Sequence, residues 1–310
     1  MSELRLVPAA LAVWLASLAC IVWGARAAVA VVACLALACC AARQWGQALL
    51  VALLGSASAA VALVRLRAAR AWVFPHRVVG VVSGQPKQLQ SGAWLVRLRV
   101  EGYPSTLSVF ADDLPAGAVP GASAVAVGQC RPSTFPGVSQ EVLAGTVEVT
   151  APPRGLAAFA QHVRDAFGAS VAAHMGPASR GLTPGMVLGD TSDQTAAEQQ
   201  AYIDTGLSHL SAVSGANVAI ITTFAVVAAT ALRLGLRARL ASAAAALLGF
   251  AALIGPEPSV LRASATGMVG LIAVVTSRRA EPIHALCLCV IGLVLVDSDL
   301  AVHYGFALSV

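Results

Sequence analysis

The residues best suited to chemistry lie in one apolar stretch. Within Gly206–Leu232, Ser211, Ser214 and Asn217 recur every three residues behind His209, and Gly215 sits among them. On a helix they form one polar stripe. Such groups are costly in a bilayer and face either a neighbouring helix or a water-filled path. Hydrogen-bonded glue between spans and a polar lane are both open, and Gly215 permits close approach in either case. A Ser–His nucleophile is not expected from this pair. His209 and Ser214 are five residues apart, about 140° around a helix axis, which leaves them poorly placed to hydrogen-bond.

Two charged residues follow. Arg262 sits three residues into the apolar run Ser259–Thr276, just after Pro256-Glu257-Pro258. It either snorkels to the interface or pairs with Glu257 at the mouth of a pathway. Upstream, Gly189-Asp190 precedes the polar stripe.

The elements that must position these groups are set by composition. Of 310 residues, 58% are hydrophobic and 11% charged, with mean hydropathy +0.78. A globular domain carries about 25% charged residues, so this chain has too few to cover a water-facing surface. Long apolar runs point to a polytopic α-helical membrane protein. The net charge of +5 says little about an anionic partner, because membrane proteins keep excess Arg and Lys for topology. Six of the seven cysteines lie in apolar runs and act as small hydrophobes. Only Cys130 falls in a polar region, so an internal disulfide there is excluded.

Residues 1–70 hold three expected spans, Val7–Trp23, Ala27–Ala42 and Gln47–Val64. The first has the look of a signal peptide, but two apolar runs follow it directly. From His76 to Thr150, Pro, Gly and Ser separate short β-type runs: Arg77–Val82, Trp94–Val100, Thr106–Phe110, Ala122–Val127 and Gly145–Thr150. Trp94, Val96, Leu98 and Val100 alternate with Arg97 and Arg99, the period of a half-buried strand. Five such runs predict a small all-β, OB-like barrel at 76–150. Residues 154–205 begin with an amphipathic stretch in which Leu156, Phe159, Val163, Phe167 and Val171 form an apolar face and Arg154, His162, Arg164 and Asp165 interleave. That predicts a helix on the membrane surface or on the bundle.

Residues 206–310 contain the further spans Gly206–Leu232, Leu240–Ile254, Ser259–Thr276 and Pro282–Val296. The run from Leu300 to Val310 is too short to cross and reads as an element cut short. Arg233, Arg237 and Arg239 follow the first span and Arg278 and Arg279 the third, while Pro256-Glu257-Pro258 and Asp297-Ser298-Asp299 occupy the other connections. The positive-inside rule puts both Arg-bearing loops in the cytoplasm. The β domain is then extracytoplasmic and the N-terminus cytoplasmic. Arg65, Arg67 and Arg70 oppose this, because they would lie outside.

Four segments in order resemble the ComEC-type competence family. Gly206-Leu207-Ser208-His209-Leu210-Ser211-Ala212-Val213-Ser214-Gly215 is similar to its central motif. Pro258-Ser259-Val260-Leu261-Arg262-Ala263 resembles the second motif, Gly305-Phe306-Ala307-Leu308-Ser309 the start of a third, and Gly189-Asp190 an upstream pair. The resemblance implies N-terminal spans, an external OB-type domain and a channel for single-stranded DNA taken up in natural transformation. Its pathway residues would be Asp190, His209, Ser211, Ser214, Gly215, Asn217, Glu257 and Arg262. Gly215, Ala216, Ala263, Ser264, Gly267 and Gly270 would let helices pack around a polar lane. The family commonly has His where this chain has Asn217, and Gln where it has Ala307, so a proton-linked role at 217 is not implied.

Implied partners are single-stranded DNA, the lipid bilayer, DNA-receptor and pilus proteins, and a cytoplasmic ATP-driven motor; a homo-oligomer is also compatible. No GxxxxGK[ST] loop is present to serve as that motor. Many members carry a metallo-β-lactamase-like nuclease domain. The six histidines here are dispersed without HxHxDH, so neither nuclease activity, metal nor cofactor is expected. In the β domain Lys87, Arg97 and Arg99 are the DNA-binding candidates. Its charges nonetheless cancel: Arg77, Lys87, Arg97, Arg99 and Arg131 against Glu101, Asp112, Asp113, Glu141 and Glu148. A solvated strand face is the plain alternative. The rival functional classes are an intramembrane serine hydrolase and a small-solute transporter.

Overall fold

The computed structural model describes residues 5–89, 91–191, 194–206, 215–275 and 281–310. Three apolar helices open the chain: α1 (Val7–Trp23), α2 (Ala25–Ala41) and α3 (Trp45–Ala71). Gly24, at φ 91°, makes the tight reversal between α1 and α2. Small residues bring the helices close. A Cβ at Gly55 would lie 2.9 Å from Val32 and 3.5 Å from Ala12. Ser58 donates to the Val13 carbonyl at 2.7 Å and shares a 2.7 Å hydrogen bond with Ser17, so hydroxyls supply the polar contacts of this apolar seam.

The expected third span ended at Val64, but α3 runs on through Arg65, Arg67 and Arg70 to Ala71. Straight-chain arginines are good helix formers and do not end a helix.

The middle is a barrel of β1 (Arg77–Val82), β2 (Lys87–Gln88), β3 (Trp94–Arg99), β4 (Thr106–Ala111), β5 (Ser123–Pro132) and β6 (Glu141–Ala151). The order β1-β5-β6-β4-β3 closes through β1–β3 pairing at Val81↔Arg99 and Val82↔Leu98. Only β4–β6 is parallel, with Val109 opposite Leu143. The five barrel strands, without the two-residue β2, thus give the Greek-key closure of an OB-type barrel. Val96, Leu98, Leu107, Val109 and Leu143 fill its interior. Gly128 and Gly145 face each other across β5 and β6, where a Cβ on either would strike the opposite backbone. β2 is an addition to the predicted strands.

Then follow α4 (Leu156–His174), α5 (Pro177–Arg180), α6 (Leu182–Leu188), α7 (Ala196–Asp204), α8 (Gly215–Ala231), α9 (Leu236–Ile254), α10 (Pro258–Val275), α11 (Pro282–Val296), a 3-10 turn (Ser298–Val302) and α12 (Tyr304–Ala307). The α4 helix forms as expected, and its apolar face divides between the bundle, which Phe167 and Val171 meet, and the outside. Ala160, Arg164 and Val171 are buried, whereas Leu156 and Phe159 are 78% and 65% exposed. The run from Leu300 holds the end of the 3-10 turn and the four-residue α12. There Trp14 Nε1 donates to the Ala301 carbonyl at 2.9 Å and packs edge-on against Phe306.

Among the described residues two helices, Trp45–Ala71 and Leu236–Ile254, are long and apolar enough to cross a membrane; shorter apolar helices accompany them. The bundle has a barrel end and a far end. The C-terminal part of α3, the α9–α10 turn and the end of α11 all meet the barrel or its loops. The α2–α3 turn with Arg43 and the α8–α9 turn with Arg233 lie a helix length away, about 28 Å for α9.

Candidate nucleic-acid interface

Strand β3 presents the barrel's charged face. Val96 and Leu98 are fully buried in the barrel core, while Arg97 and Arg99 project from the other side of the strand opposite Ser108 and Thr106. The alternation read from sequence is therefore realised. The face does not look into open solvent throughout. Lys87, placed by β2, brings its Nζ to 4.0 Å from Glu257 Oε1 just before α10. Arg97, Lys87, Glu257 and Asp299 all act electrostatically on His303. His303 is partly buried and its Nδ1 has no hydrogen-bond partner among the described residues. Burial first, then the Arg97 and Lys87 charges, hold its imidazole below the ordinary range, with Glu257 and Asp299 opposing.

Arg99 lies elsewhere. It borders a cleft of about 390 Å³ between β1, the 120–121 loop, α4 and the Gly255-Pro256 turn. Arg164 lines the same cleft and is 4% exposed. Its Nη1 donates to the Leu253 carbonyl at 2.6 Å and its Nε to Gln161 at 3.3 Å. Burial lowers the Arg164 pKa, and Asp190 and Asp165 offset that. Asp190 is thus set electrostatically against α4.

A third group ties the barrel to both helical blocks. Arg65 donates through Nε and Nη2 to the Pro104 carbonyl at 3.2 and 2.7 Å, and its Nη1 lies 2.7 Å from Asp297 Oδ1. Asp299 accepts from the Val138 backbone N–H and from the Ser105 hydroxyl, both at 2.7 Å, and lies 3.5 Å from Arg65 Nη2. Burial, the largest cause, and the neighbouring Asp297 raise the Asp299 pKa above the ordinary aspartate value. Arg70 adds a 3.1 Å hydrogen bond to Gln140.

The helical candidates divide. Gly215 and Arg262 meet: a Cβ at 215 would stand 3.4 Å from Ala263 Cβ and 3.6 Å from Arg262 Nη2. The guanidinium therefore turns to the start of α8, and its Nε is buried without a hydrogen-bond partner among the described residues. Of the two alternatives for Arg262, pairing with Glu257 does not occur among the described residues; Lys87 is the cation that Glu257 meets. Asn217 donates from Nδ2 to the Met186 carbonyl at 2.7 Å, fastening α8 to α6 just before Gly189-Asp190. His209, Ser211 and Ser214 lie outside the described residues. Of the small residues, Gly267 takes a close approach, since a Cβ there would lie 2.6 Å from Leu247, whereas Gly270 faces open space.

Arg65, Arg164, Asp299 and His303 were not singled out from sequence. The faint signal for Arg164 was its spacing from Ala160 and Val171 on one helical face. Arg65 showed only as a charge on the wrong side of the expected topology.

Residues 186–310 match the family described as Competence protein. This part of the chain is a competence-protein domain, in agreement with the ComEC-type resemblance carried by its motifs. No curated protein and no solved structure matches the chain.

Proposed function

We propose that this chain forms part of a ComEC-like conduit that takes single-stranded DNA across the plasma membrane in natural transformation. The observation that carries the proposal is the contact of the barrel's Lys87 with Glu257 just before α10, with Arg97 on the same barrel face within electrostatic reach of His303 before α12. OB-type barrels bind oligonucleotides on the face of their second and third strands and in the adjoining loops. Here those strands are β3 and β4. A strand lying on that face has its phosphates at Arg97 and Lys87, then reaches Arg262 five residues beyond Glu257. The Nε of Arg262, without a hydrogen-bond partner among the described residues, offers one phosphate a charge-assisted hydrogen bond. The chain acts as a passage and not as an enzyme, and a separate motor supplies the work.

The same reading sets the membrane topology. The barrel end faces outward, and the far end, with Arg43, Arg233, Arg237 and Arg239, faces the cytoplasm. Of the three arginines that oppose this, Arg65 and Arg70 each bind a partner at the barrel end, while Arg67 is exposed there. Leu156 and Phe159 on α4 then lie in the headgroup region.

The test is Arg262→Ala in the intact protein. Transformation falls by at least tenfold while the variant is recovered in the membrane fraction in normal amount. Normal transformation removes Arg262 from the path and rejects the proposed route.

A further inference from the structure

The turn after α11 touches the β5–β6 loop, one of the loops an OB-type fold uses for nucleic acid, and the β3–β4 turn. Its Asp299 carboxylate is held by three kinds of donor: the Val138 backbone N–H in the β5–β6 loop, the Ser105 hydroxyl in the β3–β4 turn, and the Arg65 guanidinium. A backbone N–H, a hydroxyl and an arginine are also the groups that proteins place around phosphate oxygens. Gly137 lines the same place: a Cβ there would stand in ordinary contact, 3.6 Å from Asp299 Oδ1.

The occupant is poorly matched in charge. Asp297 and Asp299 share one guanidinium, at 2.7 and 3.5 Å, so two carboxylates face a single positive charge in a partly buried site. The turn that carries Asp299 is only five residues long. A phosphodiester brings one negative charge where the turn brings two.

We propose that Arg65, Ser105 and the Val138 N–H form a phosphate subsite of the barrel, which Asp299 fills as an internal stand-in until a nucleic-acid strand displaces the turn. This rests on the DNA-conduit reading above and adds a closed state to it. The strand's own phosphate is the key that releases the turn, so an empty barrel keeps this subsite filled.

The experiment is fluorescence anisotropy of a labelled oligothymidylate with the purified full chain in lipid nanodiscs, titrated over salt. Asp299→Ala binds at least tenfold more tightly than the parent, and its log–log salt slope steepens by about 0.7, one extra contact to a single strand. Adding Arg65→Ala to Asp299→Ala cancels the gain. A second measurement covers the case in which Asp299→Ala does not fold. Leu300, 6% exposed beside Asp299, is replaced in an otherwise unchanged clamp (Leu300→Cys). Its labelling by a polar maleimide, over the parent's background, accelerates when oligonucleotide is added. Equal or weaker binding by Asp299→Ala, or a Leu300→Cys labelling rate indifferent to bound oligonucleotide, makes Asp299 a fixed strut and overturns the subsite, with the conduit reading intact. If neither parent nor variant binds oligonucleotide at any salt, both readings fall.

Discussion

Arg65 Nη1 lies 2.7 Å from Asp297 Oδ1, a contact between residues 232 positions apart that joins the N-terminal helices to the competence domain. The same guanidinium holds the Pro104 carbonyl, so one side chain fastens helix α3, the barrel and the end of α11. Removing one partner of a partly buried ion pair strands the other charge. Arg65→Ala should therefore cost about 2–3 kcal/mol. The cost is expected in barrel docking, seen as faster proteolysis of the loops near Pro104 and Val138. Unchanged cleavage would show that the clamp holds nothing.

The start of α8 admits little bulk. Gly215→Ala brings a Cβ to 3.4 Å from Ala263 and 3.6 Å from Arg262 Nη2, which a few tenths of an ångström of movement relieves. Gly215→Leu cannot be so relieved and pushes the guanidinium away. Transformation should stay within about threefold of normal for Ala and fall more than tenfold for Leu, at equal membrane abundance. These thresholds follow from about 1–3 kcal/mol of overpacking.

His303 gives the junction a pH dependence with a definite sign. Its imidazole is held below the ordinary value when the barrel is docked, chiefly by burial and by Arg97 and Lys87, against Glu257 and Asp299. Undocked, it protonates at the ordinary value. The docked state is therefore favoured above that value and loses stability as pH falls from it toward the lowered one, by at most about 1.4 kcal/mol per pH unit. Asp299, raised instead, favours docking as pH falls, but in the range above the ordinary aspartate value. Barrel release followed by proteolysis should thus increase from pH 7.5 to pH 6, and His303→Gln should flatten the profile. An unchanged slope in that variant assigns it to another group.

Topology follows from the two ends of the bundle. A reporter inserted at Gly117, in a barrel loop, should be active outside, and one after Arg239 should be active in the cytoplasm. Both on one side would break the assignment.

Local pattern carried the strands and most helices. The alternation through Trp94–Arg99 is a property of neighbouring residues, and it appears in the barrel as a buried Val96 and Leu98 with Arg97 and Arg99 outside. The α4 stripe gives the helix but not which of its apolar residues the bundle covers. Leu156 and Phe159 point outward, while the small Ala160 lets Arg164 bury and cap the end of α9. What no local pattern could show is pairing over long separations. Arg65 shows in the sequence only as a charge, and its partner Asp297 lies 232 residues on. Glu257 has Arg262 five residues away in sequence, yet the cation beside it is Lys87 of the barrel.

The central claim is that a DNA strand runs from the β3 face past Arg262 into the helices. Photocrosslinkers placed singly at Ser108, beside Arg97, and at Ser264, two residues beyond Arg262, test it most directly during uptake of labelled DNA by competent cells. Crosslinks to single-stranded DNA at both positions are predicted, with that at Ser264 lost when uptake is stalled. Capture at Ser108 but never at Ser264 would contradict the route through the helices.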